Sequence, residues 1–494
     1  MNKRTLSIIY GLFILFNLSL LNCQANTNNI DKASDKTQIS DKAGMTVKGL
    51  IVDNNNKPVE GVVVNDGKNF TTSDQNGIYY LPSELSRNKY VSISIPSDFD
   101  IEKNVANSYF AKLSDKETVN RRDFKLNKRL KKTEEFVYIA ISDPQVKTSS
   151  DVSRLESETM TDLKSTIKQN TGKEIYAMTL GDNVFDQMNL FPLYKTMLSS
   201  LKVPVFSTIG NHDFDLKYND LHNTENPTNN YAEETYESFF GPVDYSFNMG
   251  NVHIISMKNI DYFAGKKYTE QFTPDQLEWL KKDLGYVKPG TVIFLNLHAP
   301  TANKTSKGSG NTRNAAALFD ILKGYQVHIF AGHTHFYENE EPAPGIYEHN
   351  IGAACGAWWA GGVNRCGAPN GYLIVDVNGK EIKWHYKSTG KDINYQFRVY
   401  KPAEFATQAN YVVANVWDWD SSYQVEYFED GVSKGSMEQF EDEDQDFITM
   451  KNGTGTGYHT LHLFRFQPKP ETKTAKIEVT NRFGEIYTQS ISLK

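Results

Sequence analysis

Seven side chains in the middle of the chain carry donor atoms that bind divalent metal ions. They comprise carboxylates, side-chain amides and imidazoles, at Asp143, Gln145, Asp182, Asn211, His298, His333 and His335. This mixed oxygen and nitrogen set suits Mn, Fe or Zn better than calcium, and the lack of a nearby cysteine argues against a structural thiolate zinc site. Seven ligands exceed what one ion can use. The set therefore predicts two ions that share a carboxylate, roughly 3.5–4 Å apart as in two-metal hydrolases.

Each group of candidate ligands follows a predicted β-strand. Apolar, β-rich runs at 136–142, 175–180, 205–209, 292–297 and 327–331 each end where one of these polar groups begins. Strands alternate here with helical patterns, which indicates an α/β layered domain. In open α/β sheets, sites form at the carboxyl ends of strands, so one cleft is expected to gather all five groups.

The order of these groups resembles the calcineurin-like metallophosphoesterase superfamily. The motifs are Asp143-x-Gln145, Gly181-Asp182-x-x-x-Asp186, Gly210-Asn211-His212-Asp213, His298 and Gly332-His333-x-His335. Each is weak alone, but five in order after five predicted strands form a strong joint signal. The resemblance covers about half the chain, and it implies a four-layer α-β-β-α sandwich with a dinuclear site at one end of the sheets.

The resemblance also implies a role for each site residue. One metal would be held by Asp143, Gln145, Asp182 and His335, and the other by Asp182, Asn211, His298 and His333, with Asp182 as the bridge. A hydroxide between the ions would attack phosphorus, with no covalent enzyme intermediate. His212 would protonate the leaving group or stabilise the transition state, and Asp213 would orient its imidazole. Asp186 and Asn183 would support the ligands.

Gln145 departs from the family pattern, which usually has histidine two residues after the first aspartate. A neutral oxygen donor binds borderline metals less strongly than imidazole does, so this residue shifts the expected metals toward Mn or Fe, with Zn as an alternative.

The first 45 residues read as an export signal and a tether. Lys3 and Arg4 precede an apolar run at 8–21, which is typical of a signal peptide over residues 1–22. This run is shorter than the ~20 residues of a membrane span, so a retained transmembrane helix is the weaker interpretation. Cys23 follows Leu20-Leu21-Asn22 and resembles a bacterial lipidation site; the alternative is an unlipidated, secreted protein. Residues 23–45 are polar and predict a flexible tether.

Two β-rich modules flank the middle domain, which is predicted over 134–390. Short β-branched runs with Asn, Asp and Gly turns predict β-sandwiches at 46–128 and 400–494. The first resembles carboxypeptidase-regulatory-like domains, and together the two resemble the N- and C-terminal domains of a bacterial branch of the family. The acidic run 441–446 is predicted to be a solvated turn rather than a calcium loop. The segment 417–420 is predicted to be an aromatic strand edge or a packing contact with the middle domain rather than a ligand site.

A glycine-rich segment after the last motif carries two tryptophans and two cysteines. Trp358 and Trp359 either form an aromatic wall of the pocket or pack against the C-terminal sandwich. Cys355 and Cys366 are candidates for a disulfide in an exported chain; the alternative is two free thiols. Arg313 ends a polar segment, 303–313, that either contacts a second anionic group or is a solvated insertion.

Charge and composition limit the partners. The chain has 494 residues, with 53 Lys+Arg against 60 Asp+Glu and a net charge of −7. This sign disfavours nucleic acid as the main partner, and a phosphate substrate needs the metal ions to offset it. We expect an enzyme of the cell envelope, attached to the membrane only through lipid, that hydrolyses phosphodiesters or pyrophosphate-type bonds in a small molecule or envelope component. The alternatives are a phosphomonoesterase for scavenging and a catalytically weak protein that binds carbohydrate or an envelope polymer.

Overall fold

The N-terminal module is a two-sheet β-sandwich built from short strands. The computed structural model describes residues 38–101, 103, 108–131, 133–216, 230–264, 266–304 and 310–494. The strands here are β1 Val47–Asp53, β2 Val63–Asn65, β3 Phe70–Thr72, β4 Ile78–Leu81, β5 Tyr90–Ser94, β6 Phe99–Asp100, β7 Phe110–Lys112, β8 Asn120–Arg121 and β9 Phe124–Lys128. One sheet has the order β4-β1-β9-β6, with β8 also paired to β1, and the other has the order β3-β2-β5-β7.

The predicted signal peptide, Cys23 and residues 23–37 of the predicted tether lie outside the described residues, as does the segment 305–309. Residues Ile39–Lys494 fold as one unit. In the described part of the chain, no helix combines the length and the apolar character needed to span a membrane.

The middle domain places two sheets face to face. Its strands are β10 Glu135–Ile141, β11 Glu174–Leu180, β12 Val205–Thr208, β13 Tyr245–Met249, β14 Val252–Ser256, β15 Ile260–Ala264, β16 Lys267–Glu270, β17 Val292–Asn296, β18 Gln326–Ala331, β19 Glu338–Ala343, β20 Ile346–Asn350, β21 Gly371–Asn378 and β22 Glu381–Ser388. The first sheet has the order β12-β11-β10-β21-β22 and the second β13-β14-β17-β18-β20-β19, while β15 and β16 form a separate hairpin.

Helices cover the outer face of each sheet. They are α1 Ser149–Leu155, α2 Thr161–Gln169, α3 Phe191–Ser199, α4 Asn230–Phe240, α5 Pro274–Leu284 and α6 Ala315–Leu322; a π-helical turn, Glu156–Met160, joins α1 to α2, and a 3-10 turn, Met188–Leu190, precedes α3. Thr273 caps α5 by accepting a hydrogen bond from the Gln276 amide, and Pro274 occupies the first helical position, where its missing N–H costs nothing.

Alternation along the strands produces the four layers. In β10, Val137 and Ile139 join the core beneath α1–α4, whereas Phe136 and Tyr138 face the second sheet, because successive side chains of a strand point to opposite faces. The Tyr138 hydroxyl donates to the Asn296 side-chain oxygen in β17 at 2.6 Å and so joins the two sheets. A third core lies between the second sheet and α5 and α6. The predicted α-β-β-α fold is confirmed.

The C-terminal module is a second β-sandwich. Its elements are β23 Phe397–Tyr400, a 3-10 turn at Ala406–Gln408, β24 Val412–Val416, β25 Gln424–Glu429, β26 Val432–Ser436, β27 Glu438–Glu443, α7 Gln445–Met450, β28 His459–Phe466, β29 Thr474–Thr480 and β30 Ile486–Ser492. Its two sheets have the orders β23-β24-β28-β27 and β26-β25-β29-β30. The sandwich therefore begins at Phe397, three residues before the predicted boundary.

Buried carboxylates attach the C-terminal sandwich to the middle domain. Asp418 accepts hydrogen bonds from the Tyr337 hydroxyl, from the Asn339 amide group at 2.9 Å and from the Tyr386 backbone amide at 3.2 Å. Burial raises the pKa of Asp418 to about 6, and these donors oppose the shift. The predicted packing contact of segment 417–420 is confirmed.

The acidic run 441–446 is not the solvated turn that its composition predicts. Asp444 is fully buried, caps α7 by accepting from the Asp446 and Phe447 amides, and accepts a hydrogen bond from Tyr400 at 2.8 Å. It also accepts from Asn415, whose side chain donates to the Cys366 carbonyl at 2.8 Å. This chain of contacts fixes the glycine-rich segment against the C-terminal sandwich.

We expect the Asp418→Ala substitution to destabilise the protein by about 2–4 kcal/mol, because it removes the carboxylate that accepts from three buried donors. The melting temperature measured by circular dichroism should fall by several degrees. Glu441→Ala, at an exposed acid of the same sandwich, is the control and should change it little. Equal melting temperatures for the two variants would contradict this account of the interface.

Candidate metal centre

The strand order brings the candidate ligands together. β10, β11 and β12 are parallel neighbours in the first sheet, and β14, β17 and β18 are parallel neighbours in the second. Parallel strands end at the same edge of a sheet, so the residues that follow them meet there. The carboxylate of Asp182 and the imidazoles of His298 and His333 offer ligand atoms that all lie within 4.8 Å of one another.

The first half of the centre contains three buried atoms without a hydrogen-bond partner. They are Asp143 Oδ1, Gln145 Oε1 and His335 Nε2. His335 Nε2 lies 3.7 Å from Asp143 Oδ1, so these two atoms face a common space. Leaving buried polar atoms unpaired costs about 1–3 kcal/mol each, and a cation between Asp143 and His335 would satisfy both of their atoms.

The second half is a close set of donors around His298. Its Nε2 lies 3.0 Å from Asn211 Oδ1, 3.1 Å from His333 Nδ1 and 3.3 Å from Asp182 Oδ1. Two imidazole nitrogens and two oxygens that converge on one point are typical of a divalent metal site.

Backbone carbonyls fix the orientation of two imidazoles. His298 Nδ1 donates to the Leu180 carbonyl at 2.8 Å, and His335 Nδ1 donates to the Gly356 carbonyl at 2.6 Å. Each bond places the proton on Nδ1, so the Nε2 lone pair points into the centre. Metal-binding histidines are commonly oriented in this way.

His333 has a carboxylate partner that the sequence did not reveal. Its Nε2 lies 3.4 Å from Glu270 Oε1 at the end of β16, while its Nδ1 faces His298. Burial acts against ionisation of Glu270, but contact with His333 holds its pKa below the ordinary value. Glu270 belongs to the hairpin and to no family motif, and no pattern in the sequence identifies it.

Asp182 lies between the two halves. Its Oδ2 accepts a hydrogen bond from Gln145 Nε2 at 2.7 Å, and its Oδ1 accepts from the His212 backbone amide at 2.8 Å. Gln145 thus has its amide nitrogen on Asp182 and its oxygen free. Gln145 carries its donor and its acceptor on neighbouring atoms of one amide, whereas the two nitrogens of a histidine lie on different sides of the ring.

The charges of Asp182 and its histidine neighbours depend on one another. Burial opposes ionisation of this carboxyl, but His298 and His212 lower its pKa well below the ordinary value. Burial would likewise suppress the charge of His298, yet Asp182 raises its pKa to about 9. Asp182 and His298 therefore each stabilise the charged form of the other. The seven donors fit a pair of divalent metal ions.

Several of these residues have strained backbones. Five of the seven candidate ligands, Asp143, Gln145, Asp182, His333 and His335, have φ between 42° and 70°. Residues other than glycine adopt this region at a cost of about 1–3 kcal/mol each, and such strain concentrates at functional sites.

His212 lies beside the metal ligands with its imidazole partly exposed. Its Nδ1 lies 2.9 Å from Asp186 Oδ1, and its ring stacks on Phe185 at a centroid distance of 3.9 Å. Lys266, at the tip of the hairpin, forms an ion pair with the other oxygen of Asp186. The contacts with Phe185 and Lys266 were not anticipated from the sequence.

The predicted contact between Asp213 and the His212 imidazole is wrong. Asp213 is fully buried and accepts hydrogen bonds from the backbone amides of Gly210, Asn183 and Val184. Asn183 also donates its side-chain amide to Asp213 at 2.9 Å. Burial and the nearby Asp182 raise the pKa of Asp213 to about 7. Asp213 and Asn183 therefore tie together the loops after β11 and β12, and Asp186 is the residue that orients His212.

The two tryptophans lie in different surroundings. Trp358 is 39% exposed and stacks on His335 with ring centroids 4.7 Å apart. Trp359 donates its indole N–H to the Pro144 carbonyl at 3.1 Å and lies beneath Arg154, against the helical layer. Of the two tryptophans, Trp358 is the one that is exposed and contacts a candidate ligand. Arg313 is exposed and reaches the site through its backbone, which donates to the Glu270 carbonyl at 2.8 Å.

The predicted disulfide is absent, because Cys355 and Cys366 are both free thiols. Cys355 Sγ contacts the Gly356 carbonyl at 3.4 Å, whereas Cys366 Sγ accepts a hydrogen bond from the Tyr337 amide at 3.2 Å. Each thiol is buried in its own environment, and burial raises the pKa of Cys366 to about 12.

Three family profiles match consecutive parts of the chain. Residues 45–129 match the N-terminal domain of calcineurin-like phosphoesterases, residues 137–337 match the calcineurin-like phosphoesterase domain itself, and residues 348–487 match the C-terminal domain. No curated protein matches the sequence.

Solved structures of phosphatases resemble the chain at low identity. A dimetal phosphatase from Danio rerio is 12% identical, with a TM-score of 0.35, over 51% of this chain and 97% of that one. A purple acid phosphatase from yellow lupin is 12% identical, with a TM-score of 0.39, over 67% of each chain. A 5′-nucleotidase from Candida albicans is 12% identical, with a TM-score of 0.33, over 53% of each chain.

The three profiles match in the family's order and together span most of the chain, and the middle one contains all seven candidate donors. The chain belongs to the calcineurin-like phosphoesterases, metal-dependent hydrolases of phosphoric esters, and carries that family's N- and C-terminal domains.

Proposed function

We propose that the protein hydrolyses phosphodiesters or pyrophosphate-type bonds rather than simple phosphomonoesters. The observation that carries this proposal is the exposed indole of Trp358, which stacks on the candidate ligand His335 and so borders the metal centre. An exposed aromatic side chain beside the metal centre suits a substrate with a further group beyond the scissile phosphate.

The proposed ligand sets follow the two halves of the centre. Asp143, Gln145, Asp182 and His335 hold one ion, and the other is held by Asp182, Asn211, His298 and His333. When bound, two such ions neutralise charge on the phosphate and lower the pKa of water. Gln145 favours Mn or Fe over Zn, since a neutral amide oxygen is a weaker donor than imidazole.

His212 is the proposed proton donor to the leaving oxygen. Asp186 holds the Nδ1 side of the ring, so Nε2 is the atom free to carry the proton. Burial tends to discharge this imidazole, but Asp182 and Asp186 raise its pKa above the ordinary value. Phe185 fixes the plane of the ring.

We also propose that the protein is exported and attached to the cell envelope through a lipid on Cys23. The support is the sequence of the first 23 residues, with its basic start, short apolar run and terminal cysteine. Its substrate is then a small molecule or component of the envelope, and nucleic acid is not a proposed partner.

Substrate preference is tested with two nitrophenyl esters and the Mn-loaded wild-type protein. We expect a higher kcat/KM for bis(p-nitrophenyl) phosphate than for p-nitrophenyl phosphate. Faster hydrolysis of the monoester would identify a phosphomonoesterase instead, and no hydrolysis of either ester would contradict the proposed activity.

Removal of the shared carboxylate should abolish turnover. We expect Asp182→Ala to lower kcat for the diester by at least about 10³-fold, because it removes a group from both ligand sets. Elemental analysis should show less than one bound ion per chain. Asp320→Ala removes an exposed carboxylate on α6 and serves as the control, with metal content and kcat unchanged. Full metal content in Asp182→Ala would refute the bridging role.

The role of His212 predicts a dependence on the leaving group. In a series of aryl phosphodiesters, His212→Ala should lose about 10²–10⁴-fold in kcat for the most basic leaving groups and less for p-nitrophenolate, which needs little protonation. Asp186→Asn should lie between this variant and wild type. His459→Ala, at a partly exposed histidine of β28, is the control. A uniform loss across the series would argue against proton donation.

A further inference from the structure

Arg365 lies beside the metal centre between two aromatic rings. Its guanidinium carbon is 4.6 Å from the ring centre of Trp358 and 4.3 Å from that of Tyr458, which precedes β28 of the C-terminal sandwich. Its backbone amide donates to the His335 carbonyl at 2.9 Å. Contacts with Phe336 and Phe447 hold Tyr458 in place.

The guanidinium of Arg365 lacks an anionic partner. Its Nε is buried and has no hydrogen-bond partner, and within the described ranges no carboxylate forms an ion pair with it. Asp143 attracts it at longer range, but Asp143 is a candidate metal ligand whose charge a bound ion takes up. A partly buried, unpaired cation is costly, particularly next to two metal ions.

Two other arginines in the chain have the same aromatic surroundings but are paired. Arg465 lies between Tyr411 and Phe440 and pairs with Glu438 at 2.7 Å. Arg482 lies between Tyr347 and Trp384 and pairs with Asp420 at 2.6 Å. The aromatic sandwich therefore does not by itself replace an anion, and at Arg365 the missing anion is expected from a ligand.

The position of Arg365 relative to the candidate metal ligands indicates which group of a ligand it binds. Trp358 touches both the ring of His335 and the guanidinium of Arg365, so Arg365 lies one ring beyond a metal ligand. Metal ions held by the candidate ligands would bind the scissile phosphate, and the guanidinium suits an anionic group further along the substrate. Planar guanidinium groups bind phosphate oxygens in a bidentate fashion.

We propose that Arg365 binds a second phosphoryl group of the substrate, next to the scissile one, so that pyrophosphate-type esters are the preferred substrates. This inference rests on the proposed function and narrows it. Hydrolysis of such a substrate breaks one P–O bond of the P–O–P linkage. The water oxygen bonds to the attacked phosphorus, and the departing phosphate takes one proton of the water. Tyr458 gives the C-terminal sandwich a part in substrate recognition.

The test compares Arg365→Met with wild type on two substrates. For ADP-ribose, which has a pyrophosphate, we expect KM to rise about 10- to 100-fold with kcat changed little, because a charge-assisted contact is lost. For bis(p-nitrophenyl) phosphate, which has a single phosphate, kcat/KM should change less than about threefold. Arg465→Met is the matched control, since it removes a sandwiched arginine far from the metal centre. Equal losses on both substrates, or no loss on ADP-ribose, would overturn the proposal.

A binding measurement separates this inference from the proposed activity. Titration calorimetry of the Mn-loaded protein compares AMP with α,β-methylene-ADP, which differ by one phosphoryl-type group. Wild type should bind α,β-methylene-ADP at least about 10-fold more tightly, and Arg365→Met should lose this difference. Arg365→Lys, which keeps the charge, should retain part of it and replaces Arg365→Met if that variant does not fold. Loss of turnover in wild type would refute the proposed function alone, whereas equal binding of the two ligands would refute the role of Arg365.

Discussion

The structure depends on buried donor atoms that converge at one edge of two sheets and cannot satisfy one another. Asp143 Oδ1, Gln145 Oε1 and His335 Nε2 are buried without a partner, and the imidazoles of His298 and His333 face each other at 3.1 Å. Such an arrangement is unfavourable in a protein alone because unpaired polar atoms and crowded donors cost free energy. Divalent ions turn the same contacts into coordinate bonds. The positive φ values of five ligands have the same explanation, since the free energy of metal binding offsets the conformational cost.

The C-terminal sandwich contributes to the site as well as to stability. Asp444 and Asn415 hold the glycine-rich segment through the Cys366 carbonyl, and this segment carries Trp358 and Arg365. Tyr458 of the same sandwich covers Arg365. The family profile for the C-terminal domain begins at residue 348, before the last strands of the middle domain. It therefore includes Trp358 and Arg365.

The sequence predicts the middle domain well because each metal-ligand motif directly follows a predicted strand. A strand that ends in Asp143 or His298 must place that residue at the sheet edge, so the family and the layers follow from the pattern. Residues outside the motifs follow no such rule. Glu270 reaches His333 from a hairpin, and Tyr458 reaches Arg365 from another domain, so only tertiary contacts reveal them.

Side-chain direction is the other limit on prediction. Asp213 is adjacent to His212 in sequence, but its carboxylate turns inward to three backbone amides, while Asp186 reaches the imidazole from the preceding loop. In the same way, the spacing of Cys355 and Cys366, eleven positions apart, did not show that each thiol is buried among different partners.

The most direct measurement is anomalous X-ray scattering from crystals of the Mn-loaded protein, recorded on both sides of the metal absorption edge. We expect two peaks roughly 3.5–4 Å apart, one next to Asp143, Gln145 and His335, the other next to Asn211, His298 and His333, with Asp182 touching both. A single peak, or a pair of peaks that Gln145 and Asp182 do not contact, would contradict the dinuclear centre described above.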